Sequence, residues 1–262
     1  MVRGSSYSMH IFACQFDILW ENRSGNLDKV RALLSEHTIP SGSLIVLPEM
    51  FASGFSMNVD RVKEDEPSET EAFMANLAQQ YQSCVIGGLV FKHESGKGLN
   101  CLSVFGPDGN KIGGYQKNHC FSYSGETNHY ISGEDIFTFE WQGFTICPTI
   151  CYDLRFPELY RRGVKAGANL FTVIASWPST RTNHWDTLIR ARAIENQAVL
   201  VGVNRVGADP KFQYIGHSQI VDHQGEVLTL NEGDEICVTN EVSIEPLQAW
   251  RDDFRALDDM KS

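Results

Sequence analysis

The chain has 262 residues, of which 42% are hydrophobic and 21% are charged. This apolar content can build a substantial core, and it excludes a disordered, collagenous or disulfide-scaffold protein. With 22 Lys and Arg against 33 Asp and Glu, the formal net charge is −11, which makes nucleic acids and anionic membranes unfavourable partners.

The N-terminal residues carry no targeting signal that we can identify. No apolar run approaches the roughly 18 residues that a membrane helix needs, and residues 1–8 lack the apolar stretch of a signal peptide. We interpret residues 1–8 as a polar or vector-derived tail, and residues 9–262 as one domain, because no repeat or Pro/Ser-rich linker interrupts them. The seven cysteines form no Cys-x-x-Cys pair, and the eight histidines show no zinc-ligand spacing. We expect a reduced, cytoplasmic protein without a metal ion or other cofactor.

Apolar periodicity predicts the elements in chain order. The first part contains a strand at 10–16, a helix at 25–35, a strand at 44–47, and a helix that follows the capping box of residues 68–71. The middle contains strands at 84–92, 99–105, 111–116, 136–140 and 144–150. The last part contains a helix at 157–167, a strand at 170–175, a helix at 184–196, a strand at 199–204, a hairpin of strands 215–221 and 226–230, and a strand at 236–242 that leads into a short acidic tail.

These strands fall into two groups with helices inserted between them. That order predicts an α/β protein with two mixed sheets face to face and helices outside, a four-layer α-β-β-α sandwich. Hairpin-linked neighbouring strands favour this architecture over a single doubly wound sheet.

Cys151 stands at a corner between a predicted strand and a predicted helix. It follows the apolar run 144–150, and Pro157 prevents a helix from beginning before about that residue. Nucleophiles occupy such corners in several hydrolases, and the backbone N–H of Tyr152 can face a developing oxyanion there. The alternative is a buried structural cysteine.

Two charged residues at other strand ends complement a thiol. Glu49 follows the strand at 44–47, and Lys117 follows the strand at 111–116. Each taken alone is typical of a solvated loop residue. A carboxylate base and a cation that stabilises negative charge are what a cysteine nucleophile needs, although His119, His184 or His217 could also lie near the thiol.

Three segments around these residues resemble the three motifs of the nitrilase superfamily of carbon–nitrogen hydrolases. They are 47–51 (LPEMF), 115–119 (YQKNH) and 150–158 (ICYDLRFPE), in the order of the family and at family-like separations. The resemblance implies that Glu49 is the general base, that Cys151 attacks an amide carbon to form a thioester, and that Lys117 and the Tyr152 N–H stabilise the oxyanion. It also implies that Glu126 supports the lysine as a second glutamate. A cation beside the thiol is expected to favour thiolate.

Further segments resemble the ω-amidase branch, which hydrolyses the terminal amide of 2-oxo acids such as 2-oxoglutaramate and 2-oxosuccinamate. They are 50–57 (MFASGFSM), 176–178 (SWP), 184–185 (HW), 192–197 (RAIENQ) and 204–207 (NRVG). The resemblance implies that Arg155 binds the substrate carboxylate, for which a guanidinium is suited, and that Trp177 and Arg181 form the far wall of the pocket. Arg155 could instead pair with Asp153 or Glu158.

Several alternatives stay open. If the protein is an amidase, its substrate could instead be deaminated glutathione, an N-carbamoyl compound or another linear amide. If it is not an amidase, it could be a non-catalytic small-molecule binding protein or a thiol redox protein that uses Cys147 and Cys151. Cys120 departs from the family pattern, which bears on pocket shape. A homodimer is expected from the resemblance, with no nucleic-acid or membrane partner.

Overall fold

The computed structural model describes residues 8–261, in which strands and helices alternate along the chain. The strands are β1 (Ser8–Gln15), β2 (Leu44–Val46), β3 (Cys84–Lys92), β4 (Gly98–Phe105), β5 (Lys111–Gln116), β6 (Phe139–Trp141), β7 (Phe144–Ile150), β8 (Leu170–Ala175), β9 (Val199–Asn204), β10 (Val206–Ala208), β11 (Gln213–Val221), β12 (Val227–Glu232) and β13 (Ile236–Ser243). The helices are α1 (Arg23–Ser35), α2 (Val59–Val62), α3 (Glu69–Tyr81), α4 (Glu126–His129), α5 (Pro157–Lys165), α6 (Thr182–Asn196) and α7 (Ile244–Asp253). The predicted tail lies outside the described residues except for Ser8, which begins β1.

The strands form two mixed sheets. The first has the order β13-β1-β2-β3-β4-β5, and the second has the order β10-β11-β9-β8-β7-β6 with β12 paired to β11. β1, β2 and β3 are parallel, as are β7, β8 and β9. β5 runs in the same direction as β3 because both are antiparallel to β4.

The side chains of β1 show how the layers are built. Ile11 and Ala13 point into a cluster that contains residues of the second sheet such as Ile150. Phe12 and Cys14 point the other way, into a cluster with apolar residues of α1 and α3, because successive side chains of a strand alternate between its faces. On the far side of the second sheet, α5 and α6 pack against β8 and β9. The predicted four-layer α-β-β-α sandwich is therefore confirmed.

The C-terminal segment differs from its prediction. Residues 244–253 form α7 rather than an acidic tail, because Ile244 and Leu247 are buried on one face of a helix. Pro246 lies in the first turn of this helix, where its missing N–H removes no hydrogen bond.

β6 is also shorter than predicted. It pairs with β7 only over three residues, Phe139–Trp141, whereas residues 136–138 lie outside the strand. Among the described residues, no helix combines the length and apolar character needed to span a bilayer.

The carboxyl ends of several strands meet at one edge of the sandwich. Residue 49 follows β2, residue 117 follows β5, residue 151 follows β7 and residue 176 follows β8. Carboxyl ends of parallel strands are where α/β proteins form their ligand sites.

Candidate active site

Glu49, Lys117 and Glu126 form one fully buried charged cluster. Lys117 Nζ donates to Glu49 Oε1 at 2.9 Å and to both Glu126 oxygens at 3.0 and 3.1 Å. The side-chain amide of Asn100, on β4, donates to Glu49 Oε1 at 2.8 Å and to Glu126 Oε1 at 2.9 Å. Two carboxylates therefore share one ammonium and one carboxamide, so each has hydrogen-bond partners in its buried position.

The two carboxylates decide the protonation state of the lysine. Burial by itself lowers the pKa of Lys117, but the negative charges of Glu126 and Glu49 outweigh burial and raise the pKa well above its ordinary value. Lys117 is therefore a permanent cation in this site.

Cys151 begins a 3-10 turn, Cys151–Arg155, between β7 and α5. Its φ of +48° is in the left-handed region, which non-glycine residues adopt only at a cost of about 1–3 kcal/mol. The predicted strand-to-helix corner is thus present. Tyr152, whose N–H was assigned to the oxyanion, is the second residue of the turn.

The thiol of Cys151 is not a preformed thiolate. Burial and the nearby Glu49 carboxylate raise its pKa well above the ordinary value, although Lys117 and the backbone of Ser176 lower it. The expectation that the lysine favours thiolate is confirmed in direction, because Lys117 lowers the pKa, but burial and Glu49 outweigh its effect. A base must remove the proton as the sulfur attacks. Within residues 8–261, no histidine is hydrogen-bonded to Cys151.

Asp153 ties the lysine segment to the cysteine corner. Its fully buried carboxylate accepts hydrogen bonds from Tyr115 Oη at 2.7 Å, from the His119 backbone N–H at 3.0 Å and from the Ile150 backbone N–H at 3.1 Å. His119 Nδ1 also lies 2.8 Å from Asp153 Oδ1. The segments before and after Lys117 are thereby fixed to the backbone beside Cys151.

A cavity opens above Cys151. Its lining consists of Phe55, Phe121, Cys151, Tyr152, Arg155, Ser176, Trp177, Pro178 and Arg181. The free space is about 20 Å³, enough for roughly one water molecule.

Two arginines supply the positive charge of this cavity. The Arg155 guanidinium lies 4.7 Å from the ring centroid of Trp177, and its Nη2 is 3.2 Å from His184 Nδ1. Arg181 lies 5.4 Å from the centroid of Phe121. In the part of the chain that the structure describes, neither guanidinium pairs with a carboxylate, so the alternative pairing of Arg155 with Asp153 or Glu158 is not found.

The surroundings of Arg155 lower the pKa of its guanidinium. Burial lowers the pKa of the Arg155 guanidinium, and the positive charge of Arg181 also lowers it. An anion bound between the two guanidinia would relieve both effects.

Two residues of the site, Asn100 and Ser176, were assigned no role from the sequence, and a third, His184, was named there only as a possible neighbour of the thiol. Asn100 bridges the glutamates, His184 contacts Arg155, and Ser176 donates its backbone N–H to Glu49 Oε2 at 2.9 Å. A polar residue at a buried strand position was the available signal for Asn100. Ser176 lies in the SWP segment, directly after β8.

The redox pair is not supported by the geometry. Cys147 lies against Gly163 of α5 and does not line the cavity, whereas Cys151 does. Among residues 8–261, no three His, Cys, Asp or Glu side chains are grouped to hold a metal ion.

Known proteins resemble this chain over most of its length. The carbon–nitrogen hydrolase family model matches residues 11–252. An omega-amidase YafV of Yersinia enterocolitica is 38% identical over 249 residues, which are 94% of each chain. A 2-oxoglutaramate amidase of Bacillus subtilis is 29% identical over 96% of this chain and 97% of its own.

The fold is shared with solved structures as well. A carbon–nitrogen hydrolase superfamily protein of Xanthomonas campestris, crystallised with an arsenic adduct in its active site, superposes with a TM-score of 0.91 at 34% identity, covering 97% of this chain and 98% of the other. The resemblance read from the three motifs is confirmed: the chain belongs to the carbon–nitrogen hydrolase family and is an enzyme that hydrolyses carbon–nitrogen bonds.

Proposed function

We propose that the chain is an ω-amidase that hydrolyses the terminal amide of a short 2-oxo dicarboxylic acid monoamide, 2-oxoglutaramate or 2-oxosuccinamate, to the acid and ammonia. The observation that carries this proposal is a cavity with a cysteine thiol at its base and two guanidinia without carboxylate partners in its walls. A substrate with an amide at one end and a carboxylate at the other matches that arrangement. The omega-amidase and 2-oxoglutaramate amidase relatives give further support.

The proposed acylation step uses Glu49 and Lys117 of the buried cluster together with Cys151. Glu49 takes the thiol proton while Cys151 Sγ bonds to the amide carbon, and the carbonyl electron pair moves onto oxygen. Lys117 Nζ and the Tyr152 N–H stabilise that oxyanion. When the C–N bond breaks, its electron pair goes to nitrogen, which takes the proton from Glu49 and leaves as ammonia. A thioester on Cys151 and an ionised Glu49 remain.

Deacylation uses the same groups. Glu49 takes a proton from water, and the hydroxide attacks the thioester carbon at the oxyanion site. Collapse breaks the C–S bond, and the proton returns from Glu49 to the sulfur. Glu126 does not exchange protons in this scheme. It keeps Lys117 charged and in position through the contacts described above.

Arg155 is proposed to bind the carboxylate of the substrate. Because a hydrogen bond to a charged group contributes about 1.5–3 kcal/mol, we predict that Arg155→Ala lowers kcat/KM for 2-oxoglutaramate about 10- to 100-fold. Butyramide, which lacks the carboxylate, should be hydrolysed equally by the parent enzyme and the variant. Ammonia release measures both.

Two control variants accompany this experiment. Arg162→Ala removes an arginine of α5 that donates to a backbone carbonyl outside the cavity, and it should leave kcat/KM unchanged. Cys151→Ala should abolish ammonia release while keeping the fold. Equal turnover of 2-oxoglutaramate by Arg155→Ala and the parent would contradict the assignment of the carboxylate site.

A second candidate is an amidase for a larger linear amide, such as deaminated glutathione or an N-carbamoyl compound. A neighbouring cavity of about 230 Å³ favours it. This second cavity shares Phe55 with the first, and its lining combines apolar residues such as Trp20 and Met57 with charged ones such as Asp209 and Lys211. An amide panel that spans both size classes separates the candidates by their kcat/KM values.

We also propose that the enzyme is a homodimer. Ile194 near the end of α6 and Phe254 after α7 are apolar and about half exposed, and association through these residues would remove them from water. Light scattering that gives the mass of one chain would contradict this. The cytoplasmic location stays a prediction from the sequence.

A further inference from the structure

We propose that Ser176 is a further catalytic residue, whose hydroxyl accepts a hydrogen bond from the amide nitrogen that leaves as ammonia. The proposal rests on the proposed amidase function and names the group that recognises an unsubstituted amide nitrogen. It is argued from the surroundings of the Ser176 hydroxyl and of the Glu49 carboxylate.

The Ser176 hydroxyl is buried without a partner. The residue is 5% exposed, and within residues 8–261 its Oγ has no hydrogen-bond partner. Buried polar atoms are satisfied in the great majority of cases, so an exception requires an explanation. Ser176 lines the cavity together with Cys151, where a bound substrate supplies the missing partner.

The contacts of Glu49 indicate which substrate atom that partner is. Glu49 Oε1 already accepts from Lys117 and Asn100, whereas Oε2 accepts, among the residues that the structure describes, only from the Ser176 backbone N–H. Oε2 is therefore the oxygen with free capacity to exchange protons. The carbonyl oxygen of the substrate belongs beside Lys117, so the nitrogen lies on the Oε2 side, next to Ser176.

A serine hydroxyl at this place orients the nitrogen. As the C–N bond breaks, the nitrogen lone pair must point at the proton on Glu49, and the two N–H bonds then point elsewhere. One of them donates to Ser176 Oγ, which has two lone pairs for accepting. An ester of the same acid has no N–H on its leaving group, so its leaving group cannot donate to this hydroxyl.

The test compares Ser176→Ala with the parent on 2-oxoglutaramate and on the methyl ester of the same acid. The parameter is kcat/KM, which reports the steps up to release of the first product. We expect about a tenfold loss for the amide, equivalent to about 1.4 kcal/mol, and a change of less than about twofold for the ester. The backbone contact to Glu49 is unaffected by the substitution.

Thr172→Val is the matched control. Thr172 is on β8, the strand that leads to Ser176, and its hydroxyl is also buried without a partner among the described residues. It does not line the cavity. Both kcat/KM values should stay at the level of the parent, because the missing hydroxyl is not beside the substrate.

Two results would overturn the proposal. They are an unchanged amide rate in Ser176→Ala, and equal losses for amide and ester, which indicate a merely structural role. Failure of the proposed function is recognised separately. If the parent enzyme hydrolyses other amides but not 2-oxoglutaramate, the proposed substrate class is wrong, and the role of Ser176 is not yet contradicted. The same comparison is then made with the amide that it does hydrolyse and the matching ester. A parent without amidase activity overturns both proposals.

Discussion

Asn100 makes the buried charged cluster rigid. Its carboxamide donates to both glutamates, so that Glu49 and Glu126 are held at fixed positions around Lys117. Hydrogen bonds to charged groups are stronger than neutral ones. The residue does no chemistry itself, but the base and the cation keep their relative position through it.

We predict that Asn100→Leu, which keeps the volume but removes both donors, lowers kcat about 10- to 100-fold, because each lost bond to a charged group contributes about 1.5–3 kcal/mol. Asn196→Leu is the control, since Asn196 is equally buried but donates to a backbone carbonyl of α6. Both variants should melt at lower temperature, and only the first should lose kcat. Normal turnover by Asn100→Leu would contradict this account of the cluster.

At the level of elements, β3 holds the segment that carries Glu49. The backbone of β3 is hydrogen-bonded to that segment on both sides of the glutamate, from Leu47 N to Ile86 O and from Phe51 N to Gly88 O. A Cβ at position 88 would lie 2.6 Å from the backbone nitrogen of Met50 and 2.8 Å from Glu49 Cα. Only glycine fits there, because these neighbours are backbone atoms.

We predict that Gly88→Ala displaces Glu49 and lowers kcat by at least about 100-fold, since small misplacements of a catalytic group have effects of this size. Gly87→Ala is the matched control on the opposite face of β3. Its Cβ would meet the side chains of Phe51 and Met74, which can shift. It should lose stability while keeping kcat per folded molecule, with the folded fraction measured by circular dichroism. Unchanged kcat in Gly88→Ala would contradict the prediction.

The strands whose limits were predicted best from the sequence are those in which an apolar run ends at a polar residue. The limits of β3, β5, β7, β8 and β9 agree with the structure, and the residues after β2, β5 and β7 drew attention to Glu49, Lys117 and Cys151. Partners from distant strands could not be predicted, because which strands are adjacent is a property of the sheet. The net direction of the Cys151 pKa shift could not be predicted either, since burial cannot be weighed against one cation without coordinates.

For the whole molecule, the core contains several phenols and thiols that resist ionisation. Burial raises the pKa of Tyr115 and of Tyr160, with the nearby Asp153 adding to both effects, and it raises the pKa of Cys101 to about 12. In the unfolded chain these groups ionise at ordinary values, about 8.5 for cysteine and about 10 for tyrosine. The native state therefore binds more protons than the unfolded state in alkaline solution.

We predict that the free energy of unfolding falls as the pH rises above the ordinary cysteine pKa. The sign follows from linkage, because stability decreases with pH wherever the unfolded state has fewer bound protons. Urea midpoints at about pH 8 and about pH 10.5 measure the effect, which spans the ordinary values of both groups. Equal midpoints at the two pH values would contradict the prediction that the native state binds more protons than the unfolded state in alkaline solution.

The contact between Arg155 and Trp177 has an optical consequence. The guanidinium lies over the indole, and a carboxylate that draws it away changes the environment of a fluorophore in the wall of the cavity. Titration of Cys151→Ala with 2-oxoglutaramate should therefore shift tryptophan emission in the absence of turnover. The molecule thus carries its own spectroscopic probe of ligand binding, independent of any coupled assay for ammonia.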